Sequence, residues 1–219
     1  MKEIKIAPSI LAADPTRLGE EVEKIEAAGA EYVHIDIMDG HFVPNLAYSP
    51  DTVKALRKKS KLVFDVHLMI EEPKKYIEAF VKAGADIITV HQEVTDNLTE
   101  MAEYIHSFGV KAGISVKPGT DIETLGDEIS QFDLVLIMTV EPGFGGQSYI
   151  EAMNEKICKA RAMIDKTGKD IELEIDGGVT PDNISTPAKC GITVAVAGSS
   201  VFKAEDAAKA IGEMRENSK

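Results

Sequence analysis

The chain has 219 residues, of which 44% are hydrophobic and 28% are charged, an ordinary composition for one globular domain, here spanning 1-219. Its formal net charge of -13 at pH 7 argues against nucleic acid or an anionic membrane as a partner, because the mean field repels phosphate groups. No apolar run approaches the ~20 residues that a membrane helix requires. The two cysteines, Cys158 and Cys190, lack metal-ligand spacing, and a reducing cytoplasm is the expected location.

Short β-branched apolar runs alternate about eight times with longer segments of helical period. This alternation is typical of a parallel sheet whose strands are joined by helices. The predicted strands are Ile4 to Ile10, Tyr32 to Asp36, Leu62 to Met69, Ile87 to Val90, Lys111 to Val116, Leu134 to Thr139, Ile171 to Asp176 and Thr193 to Ala197. The predicted helices are Pro15 to Ala28, Pro50 to Lys59, Pro73 to Ala83, Asn97 to Phe108, Ile122 to Ile129, Tyr149 to Lys166, Pro181 to Cys190 and Ala204 to Arg215.

The alternation by itself fits two architectures, a closed (β/α)8 barrel and an open doubly wound sheet. His, Asp, Ser and Met residues accumulate at the carboxyl ends of the predicted strands. That is the face on which barrels assemble their active sites. We therefore predict a single-domain α/β protein with the (β/α)8 TIM-barrel fold.

Acidic and imidazole side chains recur at two-residue spacing at the ends of three predicted strands. The alternation of a strand points His34 and Asp36 to one side, and Asp65 and His67 to one side of the next strand. Asp176 ends the seventh predicted strand. Two imidazoles and two carboxylates at one barrel mouth predict a divalent metal site, for which Zn, Mn, Fe and Co are all chemically acceptable. The alternative is hydrogen-bonded core histidines, and Asp65, one layer deeper, is a candidate partner of a ligand.

Glycine-rich segments follow the sixth, seventh and eighth predicted strands. Backbone amides in such segments can approach an anion closely, and the N-terminus of the following helix adds positive potential. Barrels often hold phosphate in the loops after strands seven and eight. We therefore predict a phosphate site, against the alternative that the glycines only make tight turns. The segments are Gly143 to Gly146, Gly177 to Gly178 and Gly198 to Ser199.

Several of these segments together resemble the ribulose-phosphate 3-epimerases. The matching runs are Ala7 to Asp14 (APSILAAD), His34 to Asn45 (HIDIMDGHFVPN), Asp65 to Met69 (DVHLM), Met138 to Gln147 (MTVEPGFGGQ), Asp176 to Val179 (DGGV) and Ala197 to Ser199 (AGS). The resemblance covers essentially the whole chain. It implies a barrel of the ribulose-phosphate-binding type and an isomerase of the pentose phosphate pathway, which interconverts D-ribulose 5-phosphate and D-xylulose 5-phosphate through a metal-stabilised enediolate.

The resemblance also implies roles for individual residues. One divalent cation per subunit would be bound by His34, Asp36, His67 and Asp176, and the two aspartates would move the proton between the faces of C3. Similar enzymes form homo-oligomers, either dimers or hexamers. The residues expected to contact the sugar phosphate are Ser9, Met38, His67, Met69, Met138, Gly143, Phe144, Gly145, Gly146, Asp176, Gly177, Gly178, Gly198 and Ser199.

Two positions depart from the usual pattern of the resembled family. Lys117 stands where Asn is common, and Ser49 stands where Gly is frequent, a feature that also resembles the epimerases of D-allulose 6-phosphate. A six-carbon substrate is therefore an alternative. Two further alternatives are a barrel lyase or decarboxylase, for which Lys117 is the one candidate Schiff-base lysine, and a phosphosugar binder without turnover. His91 lies near the predicted mouth and is interpreted as a residue without a catalytic role.

Overall fold

The structure, a computed structural model, describes residues 3–219, and within them strands and helices alternate along the chain. The strands are β1 Lys5–Pro8, β2 Tyr32–Asp39, β3 Leu46–Ala47, β4 Val63–Met69, β5 Ile87–His91, β6 Lys111–Val116, β7 Leu134–Met138, β8 Glu172–Asp176 and β9 Val194–Ala197. The α-helices are α1 Leu18–Ala27, α2 Pro50–Arg57, α3 Ile77–Ala83, α4 Leu98–His106, α5 Met153–Thr167, α6 Ser185–Lys189, α7 Ser199–Phe202 and α8 Ala207–Asn217. Short 3-10 helices lie at Ile10–Ala12, Pro73–Lys75, Gln92–Val94 and Ile122–Gln131.

The strands form a closed parallel barrel. Their order in the nine-stranded sheet is β1-β9-β8-β7-β6-β5-β4-β2-β3, and β3 alone is antiparallel to its neighbour, β2. The barrel closes between β1 and β2, where Ser9 and His34 form a parallel bridge and the Glu31 N–H donates to the Ile6 carbonyl over 3.4 Å. The predicted TIM-barrel fold is confirmed, and closure excludes the open doubly wound alternative.

Alternating side chains of each strand face two different environments, as shown by β2. Val33, Ile35 and Ile37 belong to the apolar layer between sheet and helices, and each is at most 5% exposed. The intervening His34 and Asp36 point into the barrel and are also buried. Burying an aliphatic side chain of this size contributes about 1.5–3 kcal/mol. The outer layer therefore stabilises the strand while its inner face is left for polar groups.

Some predicted elements differ from the observed ones. The helix predicted at Ile122 to Ile129 is instead a 3-10 segment interrupted at Gly126, whose φ of 49° and ψ of -143° are not helical. The buried residues Ile122, Leu125 and Ile129 have spacings of three and four, which fit an α-helix and two short turns equally well. β3 and α7 were not predicted, because elements of two and four residues are too short to show a period.

Cys158 of α5 and Cys190, directly after α6, form a disulfide bond across a sequence separation of 32 residues. The expectation of a reducing compartment did not anticipate this pairing, which depends on the packing of two helices from adjacent repeats. The Cys190 sulfur also lies 3.4 Å from the backbone carbonyl oxygen of Asn154 of α5. The bond joins α5 to the residue that follows α6, on the helical outside of the barrel.

Replacing both cysteines with serine is expected to lower the free energy of unfolding by roughly 2–4 kcal/mol, because the unfolded chain regains the entropy of an open loop. Thermal unfolding of the wild type with and without dithiothreitol, beside the double variant, measures the effect. The reduced wild type should match the variant. Equal Tm values in all three samples would contradict a stabilising disulfide.

Within residues 3–219, none of the helices combines the length and the apolar character needed to cross a membrane.

Candidate active site

A cavity of about 330 Å³ opens at the carboxyl ends of the barrel strands. The predicted substrate residues converge on this cavity, with the exception of His67, which lies fully buried behind it. His34 is likewise fully buried and does not line the cavity. The predicted residues that line it are Ser9, Asp36, Met38, Met69, Met138, Gly143, Phe144, Gly145, Gly146, Asp176, Gly177, Gly178, Gly198 and Ser199.

Strand register brings the polar side chains of β2 and β4 together. His34 pairs with Asp65, Asp36 with His67, and Met38 with Met69. Side chains at paired positions of parallel strands lie side by side on one face. The two-residue spacing seen in the sequence is therefore converted into rows of side chains that run from the barrel interior to its mouth.

Four side chains from β2, β4 and β8 form a compact set of potential ligands. Ligand atoms of His34, Asp36, His67 and Asp176 lie within 4.8 Å of one another. The Asp36 Oδ1 is 3.4 Å from His34 Nε2 and 3.6 Å from His67 Nδ1. The Asp176 Oδ2 is 3.8 Å from His34 Nε2 and 3.9 Å from His67 Nδ1.

This set fits a divalent cation. Neighbouring donor atoms around a metal with bonds near 2.1 Å lie roughly 3–3.5 Å apart, so small side-chain movements would bring these atoms to coordination distance. His34 Nε2 and His67 Nδ1 are buried and have no hydrogen-bond partner, which is costly for polar atoms unless something binds them. A bound cation would displace any proton from the two imidazoles, and two carboxylates match the charge of a divalent ion.

In His34 and His67, the ring nitrogen that does not face Asp36 and Asp176 has a partner of its own. His34 Nδ1 lies 2.6 Å from Asp65 Oδ2, so Asp65 contacts the back of the imidazole, as its deeper position in the strand suggested. His67 Nε2 lies 2.9 Å from His91 Nε2. His91 is fully buried at the end of β5. This placement was not predicted, because the predicted strand ended at Val90, one residue short of it.

The two carboxyl groups of the set have opposite pKa shifts. Burial by itself would raise the pKa of Asp36, but the neighbouring charge of His34 holds it well below its usual value. Burial, followed by repulsion from Asp36, raises the pKa of Asp176 to about 6. Ser9 adds to the contrast, because its Oγ–H donates to Asp36 Oδ2 over 2.6 Å. Asp36 is therefore a carboxylate at neutral pH, and Asp176 holds a proton more readily.

Groups deeper in the barrel also have strongly shifted pKa values. Burial by itself would lower the pKa of His34, but the charges of Asp65 and Asp36 raise it well above the usual value. Glu174, fully buried on β8, has a pKa raised well above its usual value by burial and by Asp65. His34, Asp65 and Glu174 also form a second group with ligand atoms close together. It shares His34 with the first set, so the two groups form one acidic centre.

Three glycine loops line the same cavity: Gly143 to Gly146, Gly177 to Gly178 and Gly198 to Ser199. Gly178 has a φ of +68°, and a Cβ atom there would lie 2.3 Å from the Tyr149 backbone nitrogen. Asn183 fixes this turn, since its side-chain amide donates to the Gly178 carbonyl and accepts from the Thr180 N–H. The backbone of the loop is thus exposed to the cavity without covering side chains, as binding of an anion requires.

The loop after β7 is tied to its surroundings by side-chain amides. Gln147 donates to the carbonyls of Glu141 and Phe144 over 2.6 and 2.8 Å, and Asn45 donates to the Gly143 carbonyl over 2.8 Å. Phe144 remains 54% exposed at the rim. The contact between Asn45 and Gly143 could not be inferred from sequence spacing, because its donor and acceptor come from separate loops.

Several cavity residues were not predicted from the sequence. Leu11 and Ala12 belong to the 3-10 turn after β1, and Thr180 and Asn183 belong to the loop before α6. The run APSILAAD and the segment after DGGV already marked both regions, so motif continuity was the available signal. Lys117 and Ser49, the two departures from the family pattern, do not line the cavity among the described residues.

The sequence has close relatives of known activity. The sequence model of the ribulose-phosphate 3 epimerase family matches residues 5–202. Ribulose-phosphate 3-epimerase of Bacillus subtilis (strain 168) is 47% identical over 213 residues, covering 97% of this chain and 98% of that protein. The chloroplastic ribulose-5-phosphate-3-epimerase of Arabidopsis thaliana is 46% identical over 211 residues, covering 95% of this chain and 75% of that protein.

Solved structures show the same architecture at much lower identity. A 3-hexulose-6-phosphate synthase aligns with a TM-score of 0.69 and 19% identity, covering 98% of this chain and 99% of that one. KGPDC from Streptococcus mutans aligns with a TM-score of 0.68 and 14% identity, covering 99% and 98%. At these identities the likeness concerns the barrel fold alone.

Proposed function

This chain belongs to the ribulose-phosphate 3 epimerase family, and from that premise we propose that it is an isomerase converting D-ribulose 5-phosphate to D-xylulose 5-phosphate. The observation that carries this proposal is the pair Asp36 and Asp176. They come from β2 and β8, line one cavity, and have pKa values shifted in opposite directions. Epimerisation removes a proton from one face of a carbon and returns one to the other face, so it needs such a pair.

The residues of the site divide the reaction between them. Asp36, held as a carboxylate, would accept the C3 proton from one face, and Asp176 would deliver a proton to the opposite face; the reverse reaction exchanges these roles. Their titration belongs to the coupled pair and not to either residue alone. Ser9, which donates to Asp36, would hold that carboxylate in position and contact the sugar.

A divalent cation, Zn, Mn, Fe or Co, would be held by His34, Asp36, His67 and Asp176, one per subunit. When bound, it would act as a Lewis acid that stabilises the negative charge of the enediolate. The support for this assignment is the pair of unpartnered buried nitrogens, His34 Nε2 and His67 Nδ1, together with the donor set.

The remaining predicted residues would surround the reacting carbon and bind the phosphate of the substrate. Met38, Met69 and Met138 are at most 4% exposed and would exclude water from the carbanion without offering a competing proton donor. The three glycine loops would bind the phosphate through backbone N–H groups. His67, although predicted to contact the sugar, lies behind the cavity, and we assign it to the cation.

The six-carbon alternative rested on Ser49. This residue is exposed before α2, with its hydroxyl 3.4 Å from that of Thr52, and does not line the cavity among the described residues. The Schiff-base alternative rested on Lys117, whose ammonium lies 3.6 Å from the centre of the Phe42 ring. Neither observation favours a second function.

NMR of the metal-loaded protein in heavy water tests the proposal. With D-ribulose 5-phosphate we expect D-xylulose 5-phosphate to form with deuterium at C3, and a much slower reaction with D-allulose 6-phosphate. Faster turnover of the hexulose phosphate would reassign the substrate. Tight binding of either sugar without deuterium incorporation would identify a phosphosugar binder and contradict the proposal.

The Gly178→Ala variant is expected to weaken binding of inorganic phosphate by at least about tenfold, equivalent to 1.4 kcal/mol, since its Cβ would collide with the Tyr149 backbone. Gly109→Ala is the matched control. It introduces alanine at a similar φ of +79°, but with no atom within 4 Å of the new Cβ. Calorimetric titration with phosphate compares both variants with the wild type. Unchanged phosphate affinity in a folded Gly178→Ala protein would remove the turn from the proposed phosphate site.

The proposal extends to location and assembly. A cytoplasmic location accords with the bacterial relatives, although the Arabidopsis thaliana relative is chloroplastic. A homo-oligomer, dimer or hexamer, is proposed from the family resemblance. A sugar phosphate is the proposed partner, and the net charge of -13 continues to argue against nucleic acid and membrane as partners.

A further inference from the structure

His91 lies between one proposed cation ligand and an acidic residue. It ends β5, is fully buried, and contacts a different group through each ring nitrogen. Its Nε2 is 2.9 Å from His67 Nε2, and its Nδ1 is 3.1 Å from Glu93 Oε2. The planes of the two imidazoles differ by 24°, and the two contacts connect Glu93 through His91 to His67, one of the proposed cation ligands.

Glu93 is fixed at the outer end of this connection. Its Oε1 accepts a hydrogen bond from the Lys117 backbone N–H over 2.7 Å and another from the Thr120 hydroxyl. A carboxylate can only accept hydrogen bonds. With Oε1 engaged by these donors, Oε2 is the atom that faces His91, and the proton between them belongs to His91 Nδ1.

The position of that proton determines the state of His67. A neutral imidazole carries one N–H and one lone pair, so His91 with a proton on Nδ1 presents a lone pair at Nε2. The contact between the two Nε2 atoms then requires a proton on His67 Nε2. His67 Nδ1 is left with a lone pair, and it is this atom that is buried without a hydrogen-bond partner, 3.6 Å from Asp36 Oδ1.

We infer that His91 and Glu93 are positioning residues that hold His67 in the Nε2–H tautomer and so keep its Nδ1 free to bind a cation. The inference rests on the proposed metal site. In the opposite tautomer, the lone pair of His91 Nδ1 would face the lone pairs of Glu93 Oε2, and a proton on His67 Nδ1 would block the ligand. Partners that fix the tautomer of a ligating histidine are a recurrent property of metal sites.

His34, the other proposed histidine ligand, is also held by a partner at one nitrogen, but the roles of its Nδ1 and Nε2 are the reverse of those in His67. His34 uses Nδ1 to contact Asp65 Oδ2 at 2.6 Å and directs Nε2, unpartnered, at the carboxylates. His67 uses Nε2 outward and Nδ1 inward. The proposed site therefore takes one nitrogen of each type, and the identity of each is set by the outer partner.

The tautomer can be observed directly in the wild type before any variant is made. Long-range ¹H–¹⁵N correlation spectra of the histidine side chains in metal-free protein should show His67 with a proton on Nε2 and none on Nδ1. A proton on His67 Nδ1 would overturn the inference, whether His91 is neutral or doubly protonated.

Three variants test the consequence for metal binding, measured by calorimetric titration of metal-free protein with Zn²⁺. His91→Phe keeps a planar ring but removes the acceptor, and should raise the Kd for Zn²⁺ by about 10- to 100-fold. His91→Gln offers a carbonyl acceptor close to the original Nε2 position and should restore most of the affinity. His106→Gln, at a partly exposed histidine 2.7 Å from Asp133, is the matched control and should bind like the wild type.

Glu93→Gln provides a change outside the barrel interior, should His91→Phe fail to fold. Its amide can donate to His91 Nδ1, so it should populate the opposite tautomer of His67 and raise the Kd. Wild-type affinity in folded His91→Phe and Glu93→Gln proteins would overturn the inference. If the wild type binds no Zn²⁺ but His67 is protonated on Nε2, the proposed metal site is contradicted and the inferred tautomer is supported. If the wild type binds Zn²⁺ but metal-free His67 is protonated on Nδ1, the metal site is supported and the inferred tautomer is contradicted.

Discussion

Replacing Asp176 with asparagine is expected to reduce kcat by at least about 100-fold, the effect of losing a positioned acid or base. Asparagine has nearly the same shape but cannot donate or accept the proton at C3, and it is a weaker metal ligand. The raised pKa of Asp176, about 6, marks it as the member of the pair that protonates more readily. Steady-state kinetics with D-ribulose 5-phosphate measure the loss.

Asp182→Asn is the matched control for this substitution. It makes the same chemical change at an exposed position in the loop before α6 and should leave kcat unchanged. Exchange of the C3 proton with solvent separates chemistry from binding, because a variant that binds substrate but does not exchange has lost the proton transfer. Near-normal turnover by Asp176→Asn would remove this residue from its proposed role.

Removing the metal with a chelator is expected to lower kcat by at least about 100-fold, because stabilisation of the substrate's negative charge by a Lewis acid contributes several kcal/mol. The Tm should also fall, since a cation that binds only the folded state stabilises it. Two carboxylates and two histidines would then face one another without a shared ion. Metal analysis by mass spectrometry verifies the removal, and kinetics and thermal unfolding measure the two effects.

Returning Zn²⁺, Mn²⁺, Fe²⁺ or Co²⁺ singly to the metal-free protein serves as the control and identifies the active ion. At least one of them should restore both kcat and Tm. The Asp176→Asn protein should gain less Tm from the same ion, because one ligand is altered. Full activity in protein verified to be free of metal would contradict the proposed role of the four side chains.

The fold could be predicted because short apolar strands and longer amphipathic helices alternate regularly along the sequence. Parallel strands buried on both faces, such as β5 (Ile87–His91) and β7 (Leu134–Met138), read as short apolar runs, and the intervening amphipathic helices have a different period. The barrel could be distinguished from the open sheet by the residues at the strand ends. The segment Ile122–Gln131 was predicted to be an α-helix. Its 3-10 geometry could not be predicted, because α and 3-10 turns bury residues at nearly the same spacing.

The candidate site was predictable to the extent that it depends on alternation along single strands. His34, Asp36 and His67 could be assigned to the barrel interior from their two-residue spacing. Their contacts across strands could not, because register and side-chain rotamers decide which nitrogen of His67 meets His91 and which meets the carboxylates. The pairing of Cys158 with Cys190 was missed for the same reason, since it depends on how two helices pack.

Gly178 packs so closely against Tyr149 that a Cβ atom on Gly178 would lie 2.3 Å from the Tyr149 backbone nitrogen. This close packing has a consequence for protein engineering. The turn after β8 and the segment leading into α5 are shaped against each other, so neither can be grafted from another barrel on its own. Loop-exchange libraries aimed at new sugar phosphates should therefore exchange the two segments together. They should also include Asn183, whose side chain hydrogen-bonds the turn.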